Sequence, residues 1–187
     1  GLVGSEMCIR DSLVYRDDAH PLRYNNAWPS EDGRWLFVIA SEGTSGTEIL
    51  YRPASGGRFS VLLAGFAHDY APVDCINDQL YVMTNDGASN YRLARIDLNA
   101  PAGLQDVIAE NAENLLTDVS PAGGYLMATY LEDAQSKVYQ YNYDGTLVRE
   151  VELPAIGTAS GFGAKREATD LYYVLSNFTS PATVYNY

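Results

Sequence analysis

The residues of this chain equipped for covalent chemistry are few: His20, His68 beside Asp69, Ser45 within Gly43-Thr44-Ser45-Gly46, and the thiols of Cys8 and Cys75. Nucleophilic hydrolysis needs a serine raised on a strained strand-to-helix elbow, with a histidine and a carboxylate brought to it. The elbow pattern Gly-x-Ser-x-Gly does not occur, and Gly43-Thr44-Ser45-Gly46 has the wrong spacing and reads as a loop between strands. His68-Asp69 offers a base and an orienting carboxylate, yet no activated serine or cysteine stands out beside it. The pair reads as a polar loop. His20 precedes Pro21 at the start of a structural unit. Cys75, in the apolar run Ala71-Pro72-Val73-Asp74-Cys75-Ile76, reads as a small buried hydrophobe, and two cysteines make no disulfide framework. There is no His-Glu-x-x-His, no Cys-x-x-Cys and no EF-hand spacing, and no glycine-rich loop opens a helix that could cradle a phosphate. The pattern therefore assigns no catalytic residue, no metal ligand and no cofactor.

Composition narrows the partners. A formal net charge of −12 repels phosphate backbones and argues against nucleic acid. No apolar run approaches the roughly 20 residues that span a bilayer, so no membrane partner is expected. Hydrophobic content of 47% against 19% charged residues fits a folded, soluble chain. Residues 1–12, GLVGSEMCIRDS, show no strand alternation and read as a non-native leader or assembly scar, which leaves any targeting signal out of sight and the compartment, cytoplasmic or periplasmic, open.

The elements that would position any site are strands. A unit with a Gly- or Asp-marked turn, an apolar strand and a second strand rich in Tyr recurs four times, at intervals of about 45 residues. Second-strand cores are Trp35-Leu36-Phe37-Val38-Ile39, Leu80-Tyr81-Val82-Met83, Tyr125-Leu126-Met127-Ala128 and Leu171-Tyr172-Tyr173-Val174-Leu175. Turns precede them at Asp32-Gly33, Asn77-Asp78, Ala122-Gly123-Gly124 and Ala168-Thr169-Asp170. The units run over residues 25–63, 70–108, 115–153 and 157–187 of a propeller region at 13–187, the last without an outer strand. Innermost strands at Asn26-Ala27-Trp28, Asp69-Tyr70-Ala71, Thr117-Asp118-Val119 and Thr158-Ala159-Ser160 are small and polar, as the wall of a wet channel should be. Only residues 105–116 offer a helical alternative, and an outer strand with a polar loop covers them equally well. The fold class is all-β, a β-propeller of about four four-stranded blades, the last truncated, which implies part of a larger ring.

Several stretches resemble the propeller domain of the prolyl oligopeptidase family of serine peptidases: Ala19-His20-Pro21, Ser30-Glu31-Asp32-Gly33-Arg34-Trp35-Leu36, Ser41-Glu42-Gly43-Thr44-Ser45-Gly46, Thr84-Asn85 with Asn90-Tyr91-Arg92-Leu93, Val151-Glu152-Leu153-Pro154, and Ser176-Asn177-Phe178-Thr179-Ser180-Pro181 just before the last strand. The resemblance implies a seven-bladed propeller capping an α/β-hydrolase domain of the same polypeptide. That domain would follow Tyr187, and the propeller would gate and dock short proline-containing peptides while doing no catalysis itself. It further implies that Tyr24, Ser41 and Thr44 reach the substrate, the tyrosine stacking and the hydroxyls hydrogen-bonding. Two other readings remain at this point: a free-standing binding or scaffold propeller, and the propeller of a sister peptidase such as oligopeptidase B.

Overall fold

A computed structural model describes residues 12–187, so the leader expected at 1–12 lies outside the described residues except for Ser12. Among the described residues there are fifteen strands and no helix. They form four antiparallel sheets in strict chain order. The first holds β1 (Tyr24–Pro29), β2 (Trp35–Ser41), β3 (Thr47–Pro53) and β4 (Ser60–Leu63). The second holds β5 (Tyr70–Ile76), β6 (Gln79–Thr84), β7 (Arg92–Asp97) and β8 (Gln105–Ile108). The third holds β9 (Leu115–Ala122), β10 (Tyr125–Glu132), β11 (Gln135–Tyr141) and β12 (Leu147–Val151). The fourth has three strands, β13 (Thr158–Ser160), β14 (Tyr172–Asn177) and β15 (Ser180–Asn186).

Short turns with positive φ make this meander possible. Asn77 and Asp78 (φ 51° and 60°) and Gly123 and Gly124 (φ 56° and 82°) close two-residue hairpins between first and second strands. Their twist matches that of the flanking strands. Gly145 (φ 88°) closes the β11–β12 hairpin, donating its N–H to the Asn142 carbonyl at 3.0 Å. In the first three sheets the register slips once between third and fourth strands, at Ile49/Leu50, Leu93/Ala94 and Gln140/Tyr141. The bulge lies near the start of the third strand in the first two sheets and near its end, beside the hairpin, in the third, and each bends the outer strand and strengthens its twist.

Strand alternation decides the core. In β6, Leu80 and Val82 face the first sheet while Tyr81 faces the third; in β10, Leu126 and Ala128 face the second sheet while Met127 faces the fourth. Each sheet is thus apolar on both faces, and four sheets enclose three interfaces. The first centres on Phe37, Ile49, Leu80 and Val82; the second on Tyr81, Leu93, Leu116 and Leu126; the third on Met127, Val138, Phe162 and Tyr173. The outward face of the first sheet, Val38, Ala40 and Leu50, is covered by Tyr15, Phe59 and Phe66. The outward face of the fourth is bare: Tyr172 and Val184 are 60% and 66% exposed.

Three local expectations change. The helical alternative over 105–116 gives way to β8 and a loop, because the Asn111 side-chain carbonyl accepts the N–H groups of Glu113 and Asn114, and the Asn90 amide holds the carbonyls of Asn111 and Ala112. The turn expected at Ala168-Thr169-Asp170 is the end of a long connection, 161–171, which lies along β9 through Ala164 N–H to the Pro121 carbonyl (2.8 Å) and Gly123 N–H to the Lys165 carbonyl (3.2 Å). Ser180 and Pro181 begin β15 rather than precede it.

Burying Phe37 fully between two sheets makes it costly to truncate. Phe37→Ala is expected to lower unfolding free energy by about 3–5 kcal/mol, whereas Tyr172→Ser on the bare face shifts it by less than about 1 kcal/mol, as read from urea midpoints.

Candidate functional site

Antiparallel order gives the four sheets two ends. The start of β1, the end of β2 and the loop 42–46 lie at one end, together with the links 64–69 and 85–91. Here Tyr24 pairs directly with Ser41 across β1 and β2. Thr44 sits in the loop that continues from Ser41. The structure therefore brings the first two together as cross-strand neighbours and holds the third at the same end. Tyr24 is 70% exposed, and among the described residues none of the three side chains hydrogen-bonds within the protein. The rest of β1 is exposed except for half-buried Trp28 and so forms an open, polar inner strand.

The loop carrying Thr44 is held from beneath. Gly46 (φ 78°) donates its N–H to Asp69 Oδ1 at 2.6 Å, and Thr47 N–H donates to the His68 carbonyl at 2.9 Å. A side chain at 46 would meet the Phe66 carbonyl oxygen at 2.0 Å, so this position needs glycine for both reasons. Asp69 also accepts the Tyr91 hydroxyl and the Asn85 amide. One carboxylate thereby ties the loop 42–46 of the first sheet to the loop 85–91 of the second. The Tyr91 hydroxyl first, then the Gly46 N–H, hold its pKa below the usual carboxylate value.

This accounting settles the histidines. His68 faces Asp86, with Nε2 3.6 Å from Oδ1, while the neighbouring Asp69 is committed to the loop. His20 points Nδ1 at Asp17 (3.1 Å). Ser45 is exposed in the loop 42–46. The described residues show neither histidine bonded to a serine or cysteine. Cys75 is buried and its thiol is pushed up to about 12 by burial, which removes it as a nucleophile at neutral pH. Among the described residues, no group of three or more His, Cys, Asp or Glu is placed to hold a metal ion.

Beside Tyr24, the sequence reading passed over Arg23 and Glu42. The Arg23 guanidinium joins Glu42 (Nη2 to Oε1, 2.7 Å) and Asp17 (3.2 Å) and lies over the Phe66 ring, 4.8 Å from its centroid. Its pKa is raised, chiefly by Glu42. With Pro21 and Leu22 these residues border a groove of about 300 Å³. Their separation, 23 from 42, gave no sequence signal.

Residues 5–187 match the sequence model of the family described as prolyl oligopeptidase, N-terminal beta-propeller domain. The chain belongs to that family. Its propeller domain is 36% identical over 181 residues to the prolyl endopeptidase of Elizabethkingia meningoseptica, covering 95% of this chain and 25% of that protein. Over 186 residues it is 27% identical to the dual function macrocyclase-peptidase POPB of Galerina marginata, again covering 95% and 25%. Among solved structures it superposes with a TM-score of 0.89 and 31% identity on a prolyl endopeptidase studied for inter-domain dynamics in catalysis and specificity, over 98% of this chain and 27% of that one. Galerina marginata prolyl oligopeptidase B bound to a 35mer hydrolysis and macrocyclization substrate matches with a TM-score of 0.86 and 26% identity, over 94% and 26%. The propeller domain here spans about a quarter of the length of the curated relatives it matches.

The clamp under the loop of this propeller domain gives a signed expectation. Asp69 titrates lower when folded, so its stabilisation is complete above the unfolded carboxylate value of 3.8 and fades as pH falls below it. Asp32 behaves alike: burial opposes its charge, but the Ser30 hydroxyl and Arg34 outweigh that and bring it to about 2. Acid unfolding is expected to set in as pH drops below 3.8. Asp69→Asn is expected to cost about 1–3 kcal/mol at pH 7 and to flatten the acid limb of a stability–pH profile measured by denaturant titration.

Proposed function

We propose that this chain is the substrate-gating and docking module of a prolyl-oligopeptidase-type serine peptidase. In this reading it sits over an α/β-hydrolase domain of the same polypeptide and admits short proline-containing peptides to it, with Tyr24, Ser41 and Thr44 as its peptide contacts. The observation that carries it is the unsatisfied state of one end of the sheets. Among the described residues the side chains of Tyr24, Ser41 and Thr44 have no internal hydrogen-bond partner there, and the same end exposes Leu22 (90%), Ile156 (75%) and Phe178 (111%). At the opposite end exposed apolar side chains such as Leu147 (52%) and Tyr172 (60%) sit on strands rather than in the connecting loops. Apolar side chains left in water beside free hydroxyls and an aromatic ring suit an end that is covered by another domain and touched by a peptide.

A tyrosine ring offers a peptide a flat apolar face, and the paired hydroxyls can bond its backbone; neither group performs a bond-breaking step. The site would thus act on binding and orientation. In the polypeptide that joins this propeller to its hydrolase domain, Tyr24→Ala is expected to raise KM for a short proline peptide about tenfold with kcat within about twofold, while Tyr24→Phe stays near the parent. An unchanged KM for the alanine variant would remove Tyr24 from the site. A coding sequence after Tyr187 that ends without a serine elbow would overturn the peptidase reading itself.

The isolated chain, which carries no serine-elbow pattern, is expected to leave a Gly-Pro reporter peptide uncleaved. Turnover blocked by a serine-directed inhibitor would contradict this.

A further inference from the structure

The strongest polar contact between distant sheets lies at the end away from Tyr24. The connection 161–171, which precedes β14 in the fourth sheet, runs along β9 of the third and carries Arg166 beyond it. Arg166 Nη2 donates to both carboxylate oxygens of Asp74, on β5 of the second sheet, at 2.9 and 3.1 Å. The same nitrogen lies 3.5 Å from Glu31 Oε2, in the turn between β1 and β2 of the first sheet. Asp74 also accepts the hydroxyl of Tyr143, from the β11–β12 hairpin of the third sheet, and the Cys75 N–H at 2.7 Å. One guanidinium and one carboxylate therefore gather all four sheets. The apolar interfaces join only consecutive sheets, whereas Arg166 links the fourth to the first and second.

The arrangement is strong on one side and strained on the other. The Asp74 side chain is 5% exposed, and a carboxylate so deeply placed requires its cation. The Arg166 Nε is buried with no partner, an uncompensated donor that rehydration would relieve. The Arg166 and Glu31 side chains are 25% and 47% exposed, so water reaches the pair from the outside. Water arriving from that side competes with Asp74 and Glu31 for the guanidinium.

We propose that the 161–171 strap and Arg166 form a conformational latch. Seated on Asp74 and Glu31, it holds the first, second and fourth sheets in one closed arrangement; lifted, it lets the inner strands separate at the end away from Tyr24. The latch stands independently of the peptide-contact reading, because its parts lie at the other end and its test reads backbone protection.

The test is amide hydrogen exchange followed by mass spectrometry on the full chain and its Arg166→Met variant. Exchange is expected to rise about tenfold or more in three segments together, 30–34, 72–78 and 161–171, with 42–46 and 85–91 at the other end unchanged. Asp74→Asn is expected to give the same three-segment pattern, and the double variant no more than either single one. A rise confined to 161–171, or single effects that simply add, would overturn the latch. Should Arg166→Met unfold throughout, Arg166→Lys decides: it keeps the charge but not the forked reach, and a smaller rise in the same three segments supports the latch while protection at 72–78 equal to the parent overturns it.

Discussion

A β-sheet with apolar side chains on both faces cannot stand in water, and every sheet here is of that kind. Phe37 points one way from β2 and Val38 the other; Leu80 and Tyr81 do the same from β6, and Leu126 and Met127 from β10. A single blade would leave the side chains of both faces wet, at about 25 cal/mol for each Å² of apolar surface. Stacking face to face removes that cost for every interior face. The order of the strands, the length of the hairpins and the position of the bulges all serve this stacking. Each outer strand must also release the chain back to the inner edge of the next sheet, as the links 64–69, 109–114 and 152–157 do.

Apolar faces slide, so stacking by itself sets no angle between blades. Directional contacts do. Between the first two sheets, the Trp35 indole N–H donates to Asp78 at 2.7 Å and Arg34 reaches the same carboxylate, while Asp69 binds the Gly46 N–H at the opposite end. Each clamp is a carboxylate satisfied by groups from two sheets, and the Asp74–Arg166 pair extends the scheme to all four. The placement of these carboxylates also explains why so acidic a chain tolerates its charge. Several of its acids are consumed as acceptors inside interfaces, where hydrogen bonds hold them ionised.

Much of the scaffold could be read from residue order. Alternation located the strand cores, since a period of two with β-branched and aromatic residues has few other solutions, but strands such as β5, β9 and β10 run three or more residues beyond the stretches it marked. Asn77-Asp78 and Gly123-Gly124 announced hairpins because few residues accept positive φ. The segment 105–116 was ambiguous, as helix propensity and strand pattern were balanced there; contacts from Asn90, in the loop 85–91 of the second sheet, resolved it. The turn marked at 168–170 proved to be the end of the longer connection 161–171, whose path is fixed by β9, which local sequence does not reveal.

The candidate site divides the same way. Resemblance pointed to Tyr24, Ser41 and Thr44, and the pairing of β1 with β2 makes the first two neighbours through backbone register alone. The partners of Asp69 lie 16 to 23 residues away, and Arg166 meets Asp74 across 92. By itself the sequence determined the strands, the turns, the repeat and the family, because these rest on local backbone geometry and on the spacing of apolar side chains. Only the tertiary structure decided which carboxylates bind which donors, which end stays unsatisfied and where the chain crosses from one blade to another. Those outcomes depend on side chains that chain closure brings together, and a hydrogen bond spanning several blades leaves no periodic trace in the order of residues.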